Sequence, residues 1–496
     1  IFKHKLQGKM MTSHAKINNK LTFLIFIFFM NDINTFVLAE NSFQIDNSII
    51  PEEISKNAIS LRESSLLDDL SVEIVESLTT EVGSRRMGTE GDLKGITWAL
   101  EKFEQLGYDR FWTEEVILDR GWERGSASAE ILSPYPHNIV MTALGYSVGT
   151  NGDLIGEVIE FKNIAELEAI PEGNTLNGKI VFISYSMADY QPEPGQSSMA
   201  GYREGTKARG RGHVTAAKRG AEAIIIRSVG IDNNRYGHTG SGYGYQDDIK
   251  KIPAAAISPP DAILIQNMLK RKHPVVMKIN MTSKIIGPKK SANIIGEITG
   301  RETPDEYIVL GAHIDSWDEG TGALDDGAGV GSMMAAAAFI GQMEQRPKRS
   351  IRVLLFAGEE IGFYGVNEYI KKHKNDLHHH ILGAEVDGGG GRANMLVPGV
   401  GDSSLKIIHE MYKFIAPLGV ALSAENNAKG ASDMSVLGRA GMPALNFNQN
   451  SNDYFKYHHT PNDTFDKIIP EDMRYLTAAY ATMFYLAADM LVDFRK

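Results

Sequence analysis

The spacing of apolar residues divides the chain into segments of different character. Near the start of the patterned region, apolar residues recur with helical spacing and predict helices over Leu66–Leu78 and Gly91–Leu106. In the second of these, Ile96, Leu100 and Phe103 fall on one face. Such a face is typical of a helix that packs on a larger core.

The middle of the chain, from about residue 121 to 285, has a different pattern. Short β-type runs alternate with turn residues, and the Gly-rich stretch Tyr236–Tyr245 has no helix signal. The runs span residues 157–161, 179–185, 223–227, 254–258 and 275–281. This pattern predicts an inserted, β-rich lobe, which could serve as a substrate lid or as a spacer.

The last third returns to alternating strands and helices. Strand-like apolar runs span residues 308–312, 351–356, 381–386 and 444–447. Helix-like runs span residues 328–343, 363–373, 403–415 and 471–492. Continuous apolar strands separated by helices are typical of a mostly parallel sheet that is covered on both faces.

These patterns predict an α/β fold with a mostly parallel central sheet covered by helices and interrupted by an insert. We expect residues 62–120 and 286–496 to form the two parts of the main domain, and residues 121–285 to form the insert. Ligands of such sheets bind beyond the carboxyl ends of the strands.

The N-terminal region predicts export. Within residues 1–39, basic residues precede the apolar run Leu21–Met30, and Ala39 offers a small residue for cleavage. This arrangement indicates a signal peptide preceded by upstream residues, because the run is too short to span a bilayer. Residues 40–61 are polar and predict a linker or pro-segment. We expect a periplasmic or extracellular protein with no stable membrane insertion after the signal is removed.

Composition narrows the chemistry. The chain has 496 residues, a net charge of -11 and no cysteine. The negative charge argues against nucleic-acid binding, which normally uses a basic surface. Without cysteine, disulfides and thiolate ligands are excluded, so any metal must bind to His, Asp and Glu.

Side chains of this kind follow the apolar runs of the last third. They are His313, Asp315, Asp325, Glu359, Glu360, Asp387, His458 and His459. Strands that bring carboxylates and imidazoles to one edge of a sheet are how two-metal hydrolases build their centres. A donor set of oxygen and nitrogen atoms suits zinc or a similar divalent ion.

Each residue also has a simpler interpretation. Asp315 could accept the second ring proton of His313 and fix its tautomer, although a single His-x-Asp is weak evidence. Asp325 could be a helix N-cap or could bridge two cations. Glu359 and Glu360 could form a solvated turn, or one could bind metal while the other acts as a general base.

The remaining candidates differ in context. Asp387 ends an apolar run and precedes Gly388–Gly391, where glycine allows the backbone to approach a ligand closely. One residue of the pair His458 and His459 could complete a second metal site. His378–His380 lies in a polar stretch, and we expect it at the surface.

Several motifs together resemble the co-catalytic zinc aminopeptidases and glutamate carboxypeptidases, and within them the carboxypeptidase Q group. The motifs are Gly311–Asp318, Gly322–Gly327, Tyr457–His459, Arg86–Thr89 and Trp122–Gly125. The likeness runs from about Leu66 to the C-terminus. It implies that the insert is a protease-associated lobe and that the protein is a homodimer.

The resemblance also implies two zinc ions per chain. His313 and Asp387 would hold one ion, Glu360 and His459 would hold the other, and Asp325 would bridge them. In the family, the histidine ligand precedes an aspartate by four positions, and this spacing favours His459 over His458.

The same resemblance assigns roles to the other candidates. Glu359 would be the general base and Asp315 would orient the first histidine ligand. His458 and Asp433 would contact substrate, the latter by meeting a substrate amine.

The sequence thus predicts a secreted metallo-exopeptidase that hydrolyses dipeptides or short peptides with a two-metal-activated water. Two alternatives remain at this stage: a single-zinc acyltransferase similar to glutaminyl cyclase, and a non-catalytic, receptor-like binding module. No nucleic-acid partner is expected.

Overall fold

The computed structural model describes residues 45–188, 199–242, 248–451 and 453–496. The predicted signal peptide, residues 1–39, lies outside this part of the chain. Residues 47–496 form one compact unit. Within the described ranges, we find no helix with the length and apolar character needed to cross a membrane.

The first of two large sheets contains eight strands. They are β1 (Arg110–Leu118), β12 (Lys289–Ile298), β13 (Thr303–His313), β14 (Arg349–Phe356), β15 (His380–Glu385), β16 (Ala393–Gly399), β17 (Ala421–Leu422) and β18 (Ala444–Gln449). Their order is β1-β12-β14-β13-β15-β18-β16-β17. The central strands β14, β13, β15 and β18 are parallel, whereas β1, β12 and β16 pair antiparallel with their inner neighbours. The fold is therefore mixed α/β, and the expectation of a mostly parallel sheet holds only for its centre.

Helices cover this sheet on both faces. They are α1 (Glu52–Ser65), α2 (Leu70–Ser77), α3 (Glu90–Gln105), α7 (Ala328–Gly341), α8 (Tyr364–Lys372), α9 (Leu405–Tyr412), α10 (Ser432–Arg439), α11 (Tyr454–Tyr457) and α12 (Pro470–Asp489). Helices α7 and α12 pack on one face, and α8 and α10 pack on the other. The stretches Ile308–Ala312 of β13 and Val353–Phe356 of β14 can therefore be continuously apolar, because both faces of these stretches are buried.

The second sheet also contains eight strands. They are β3 (Ala127–Ser133), β4 (His137–Ile139), β5 (Met141–Ala143), β6 (Leu154–Phe161), β7 (Lys179–Ile183), β8 (Ala223–Arg227), β9 (Ala254–Ile257) and β10 (Val276–Met281). Their order is β4-β3-β10-β6-β7-β8-β9-β5, with β6 to β9 parallel. A separate pair joins β2 (Gly121–Glu123) to β11 (Lys284–Ile286).

Alternating side chains of the second sheet enter two different apolar clusters. Val181 and Ile183 face the cluster that includes α5 (Met199–Ala217), while Ile180 and Phe182 face the cluster that includes α6 (Pro259–Lys270). A short helix, α4 (Ile164–Glu168), follows β6. The predicted β-rich segment is therefore itself an α/β layer, with helices on both faces of its sheet.

Two other expectations are corrected by the structure. Part of the predicted 40–61 linker belongs to α1, which buries Ile54, Ala58 and Leu61 at helical spacing. His380 is fully buried at the start of β15 rather than at the surface, although His378 is exposed. In both cases the polar composition of the segment concealed a buried face.

Candidate metal centre

The candidate donors meet at one edge of the first sheet. His313 is the last residue of β13, Asp387 follows β15, and Glu359 and Glu360 follow β14. Because β13, β14 and β15 are parallel neighbours, their carboxyl ends lie side by side. Local strand geometry thus accounts for the convergence of side chains that are far apart in sequence.

Two groups of donor atoms share one carboxylate, that of Asp325. On one side, Nε2 of His313 lies 3.2 Å from Oδ1 of Asp325 and 3.7 Å from Oδ1 of Asp387. On the other side, Oδ2 of Asp325 lies 3.2 Å from Nε2 of His459, which is 2.9 Å from Oε2 of Glu360. The two oxygens of Asp325 therefore face two separate candidate cation positions.

Buried atoms without partners test whether these residues fit a metal. Nε2 of His313, Oδ2 of Asp325 and Oε1 of Glu360 are buried and make no hydrogen bond. Such atoms are costly to bury unless a ligand or ion satisfies them. Their nitrogen and oxygen character matches zinc, so the residues fit the ion.

The electrostatics of the site also fit a cation. Burial opposes ionisation of Asp325, yet the imidazoles of His313 and His459, each 3.2 Å from one of its oxygens, hold its pKa well below the usual range. Burial lowers the pKa of His459, but the charge of Glu360 and the contacts with the carboxylates of Asp325 and Glu360 together outweigh this and raise the pKa to about 9. Burial and neighbouring carboxylates raise the pKa of Glu359 well above its usual range. The site holds an excess of acidic groups, which a divalent cation would neutralise.

The segment that carries Asp325 is irregular and tightly anchored. Within the turn Ala323–Gly327, Asp325 and Asp326 depart from helical dihedral angles, and the peptide between them is cis. The carboxylate of Asp463 accepts the backbone N–H of Asp325 at 3.2 Å and that of the preceding residue at 2.6 Å. Asp326 accepts the N–H of Gly329 at 3.0 Å, so the predicted capping role applies to Asp326.

Asp315 does not orient His313 through its carboxylate. Nδ1 of His313 donates to the main-chain carbonyl of Asp315 at 2.9 Å, whereas the carboxylate Oδ1 is 3.7 Å away. That same Oδ1 accepts the backbone N–H groups of Gly358 and Glu359 at 2.9 and 3.2 Å. The Asp315 side chain therefore positions the turn that carries Glu359, and its backbone orients the histidine.

Both histidines of the Tyr457–His459 motif reach the site. Their rings stack with centroids 3.5 Å apart, and Nε2 of His458 lies 3.4 Å from Oδ2 of Asp325. Only His459 also contacts Glu360. Tyr202 of α5 lies 3.3 Å from Nε2 of His458 through its hydroxyl, so the second sheet's layer also reaches this site.

A cleft of about 890 Å³ opens over the donors. Glu359, Glu360, His458 and His459 line it together with residues of both layers. Asp433 does not line it: this residue is fully buried, and the neighbouring Ser432 lies at the cleft wall. The carboxylate of Asp433, at the start of α10, is therefore enclosed behind the cleft wall, and its contact with a substrate amine stays a prediction.

The sequence reasoning missed a positioning role for Trp317. Its indole Nε1 donates to Oε2 of Glu360 at 2.6 Å, and its ring lies edge-on to Trp122 at 6.4 Å. Arg124 holds the adjacent Asp318, with Nε 2.9 Å from Oδ1. The motifs around Trp122 and Trp317 thus converge on one candidate ligand. In the sequence they were recognisable as part of the family resemblance, which assigned them no role.

Known proteins match this chain in sequence and fold. The model of peptidase family M28 matches residues 293–484. Carboxypeptidase Q of Rattus norvegicus is 32% identical over 440 residues, which cover 88% of this chain and 89% of the rat protein. The human carboxypeptidase Q is 31% identical over 439 residues, which cover 88% of this chain and 89% of the human protein.

Solved structures are similar to this chain in fold. A peptidase M28 precursor from Shewanella amazonensis SB2B has a TM-score of 0.85 and 42% identity, and the match covers 90% of this chain and 99% of that one. A zinc aminopeptidase from Bacillus subtilis has a TM-score of 0.59 and 18% identity, with 86% and 97% of the two chains covered. The latter likeness shows a shared fold.

Proposed function

Because the chain belongs to peptidase family M28, we propose that it is an exported dizinc exopeptidase that hydrolyses dipeptides or other short peptides. Similarity to carboxypeptidase Q over most of the chain supports peptidase chemistry, and the zinc aminopeptidase of the same fold supports zinc.

The observation that carries the proposal is the position of Asp325. Its two carboxylate oxygens face His313 and His459 at equal distances of 3.2 Å. A carboxylate that bridges two cations needs this divergence of its oxygens. We assign His313 and Asp387 to one zinc, Glu360 and His459 to the other, and Asp325 to both.

Two zinc ions in this site would lower the pKa of a water molecule and polarise the scissile carbonyl group. Glu359 is the general base in our proposal. It lines the cleft, it belongs to neither donor group, and Asp315 fixes its backbone. Its carboxylate would take a proton from the attacking water and then give it to the leaving amine nitrogen.

Other parts of the proposal concern the substrate and the assembly. His458 faces the cleft beside His459 and is our candidate for a substrate contact. We propose that the second sheet with its helices is a protease-associated lobe, that the protein is a homodimer, and that it is exported. The lobe and the homodimer rest on the family resemblance, and export rests on the signal-peptide pattern of residues 1–39.

The two alternatives require fewer metals. A glutaminyl cyclase-like acyltransferase would use a single zinc, and a receptor-like module would need none. The donors on both sides of Asp325 favour the dizinc enzyme over both alternatives: His313 and Asp387 lie on one side, and His459 with Glu360 lies on the other. The zinc content of the purified protein distinguishes about two ions per chain from about one or none.

The test of the proposed function is Glu359→Gln. We expect the rate of dipeptide hydrolysis to fall by about 10²–10⁴-fold, because the amide cannot accept the proton, while two zinc ions stay bound. Glu368→Gln, on the exposed surface of α8, is the control and should retain full activity. Dipeptides with free and blocked ends, assayed with and without a chelator, complete the design. Full activity of Glu359→Gln would refute the assignment.

A further inference from the structure

A loop of the second sheet forms hydrogen bonds with the segment that carries His459. The loop, residues 231–239, follows β8, and it runs beside residues 455–459. Four backbone atoms of the latter segment take part in hydrogen bonds with it: Ile231 N–H to Phe455 O at 3.2 Å, the Tyr236 hydroxyl to Lys456 O at 3.1 Å, His238 Nδ1 to His458 O at 3.0 Å, and Thr239 N–H to His459 O at 2.9 Å. The second sheet therefore supports the backbone of a candidate ligand.

His459 needs such support because of its backbone conformation. Its φ angle is +61°, in the left-handed region that residues other than glycine rarely adopt. Conformations of this kind persist where the surroundings hold them in place. The contacts from His238 and Thr239 fall on His459 and on the residue before it.

The ring of His459 is held by the same loop. When Nε2 binds a cation, Nδ1 carries the ring proton, and the carbonyl oxygen of Thr239 lies 3.3 Å from Nδ1. Arg209 Nη1 is equally close to this nitrogen but is a donor, so it cannot accept the proton. Thr239 thus favours the tautomer that leaves Nε2 facing Asp325 and Glu360.

Hydrogen bonds hold both the ring and the backbone of His238 in place. It is fully buried, and its Nε2 lies 2.5 Å from Oδ1 of Asp232. Its backbone N–H donates to Oγ of Ser228 at 2.9 Å, and Ser228 is bonded in turn to the end of β9. His238 therefore connects the end of β9, through its backbone and Ser228, to the carbonyl of His458, through its ring.

We propose that His238 is a positioning residue for the cation held by Glu360 and His459, and that it has no such role for the cation held by His313 and Asp387. This inference rests on the proposed dizinc function and extends it. The two metal positions then differ in origin: the first sheet alone builds one, and the second sheet completes the other.

The experiment measures zinc binding to chelator-stripped protein by equilibrium dialysis with a competing chelator, with no activity readout. Wild type should bind two equivalents. In His238→Ala we expect one equivalent to weaken by about 10–100-fold, as is typical for loss of an outer-sphere contact, while the other is unchanged. His238→Asn should restore much of the affinity, since its amide can still donate to the His458 carbonyl. Asp387→Asn, which removes a ligand of the other ion, identifies the equivalent that each change affects.

Two further variants separate positioning from stability. Gly230→Ala places a Cβ 2.2 Å from Cε1 of His238, so it should displace the ring and weaken the same equivalent even if His238→Ala fails to fold. Arg219→Ala removes a buried side chain of the same layer that bonds the carbonyls of Glu168, Ile170 and Thr215 and does not touch the 231–239 loop, and it should bind both ions as tightly as wild type.

The possible outcomes distinguish failure of the positioning role from failure of the dizinc proposal. If wild type binds two ions and the His238 and Gly230 variants bind both as tightly, or lose both equally, the positioning role is refuted and the dizinc proposal stands. If wild type itself binds fewer than two, both proposals fall.

Discussion

The buried His380 makes the stability of this protein sensitive to mild acid. Its Nε2 accepts the hydroxyl of Tyr369 at 2.7 Å, and that hydroxyl in turn accepts Nη1 of Arg352 at 2.7 Å. Nδ1 of His380 faces the carbonyl of Asp376 at 3.2 Å. Burial, followed by the charge of Arg352, lowers the pKa of His380 to about 3. The ring is therefore neutral in the folded protein throughout the ordinary pH range.

The sign and size of the effect follow from linkage. The folded-state pKa of about 3 lies below the unfolded value of about 6.5, so the unfolded chain takes up the proton first. Stability is complete above pH 6.5 and falls as the pH drops toward 3. Between pH 7 and pH 5 the loss from this one residue is about 2 kcal/mol.

His380→Gln tests this reasoning. The side chain stays neutral and keeps an acceptor for Tyr369, so its free energy of unfolding should lose about 2 kcal/mol less than wild type between pH 7 and pH 5. Urea unfolding of zinc-free protein at both pH values measures the difference. His378→Gln, an exposed histidine nearby, serves as the control and should follow wild type. Parallel pH profiles for wild type and His380→Gln would refute the argument.

Two further predictions concern Trp317 and Glu114. Trp317→Phe keeps an aromatic ring but removes the donor to Glu360, so we expect zinc affinity to fall by about 10–100-fold in a competition titration, and unchanged affinity would contradict the role. Burial raises the pKa of Glu114, but hydrogen bonds, of which that from His373 is the largest, lower it to about 2. The free energy of unfolding of the wild type should therefore decrease as the pH falls from 4.5 toward 2. Glu114→Gln should lack this loss in urea titrations at pH 5 and pH 3, and an equal loss in both proteins would exclude Glu114 as its source.

The arrangement of the donors was predictable because the same apolar run that predicts a buried strand also makes the charged residue at its end recognisable as a candidate ligand. A buried parallel strand reads as a continuous apolar run, and a charged residue at its end stands out against that background. This is the case for His313, Asp387 and the glutamates after β14. The same logic places their side chains at one sheet edge, which is where the structure has them.

The roles of Asp315 and Asp433 could not be predicted in this way. Both depend on where the backbone turns after a regular element ends: Asp315 directs its carboxylate to Glu359 and its carbonyl to His313, and Asp433 points into the interior. The residue types are compatible with several such geometries. The contact between His238 and His458 joins positions 220 apart and has no local signal at all.

Helix α5 was missed for a different reason. Its segment contains four glycines, which lower helix propensity. Two of them lie where the helix presses on the sheet: a Cβ at Gly205 would be 2.6 Å from Val229, and one at Gly212 would be 2.9 Å from Ile224. Close packing against the sheet therefore requires glycine at these positions, although glycine has a low helix propensity.

One apolar cluster extends from Val181 and Ile224 in the second sheet to Leu324, beside Asp325, and to Phe455, close to the paired histidines. The boundary between the two layers is therefore filled with side chains that belong to both. Removing residues 121–285 would expose that surface to water and leave the segments around Leu324 and Phe455 without neighbours. We therefore expect the smallest piece of this chain that folds around the candidate metal centre to include both sheets, although the candidate ligands all lie after residue 312.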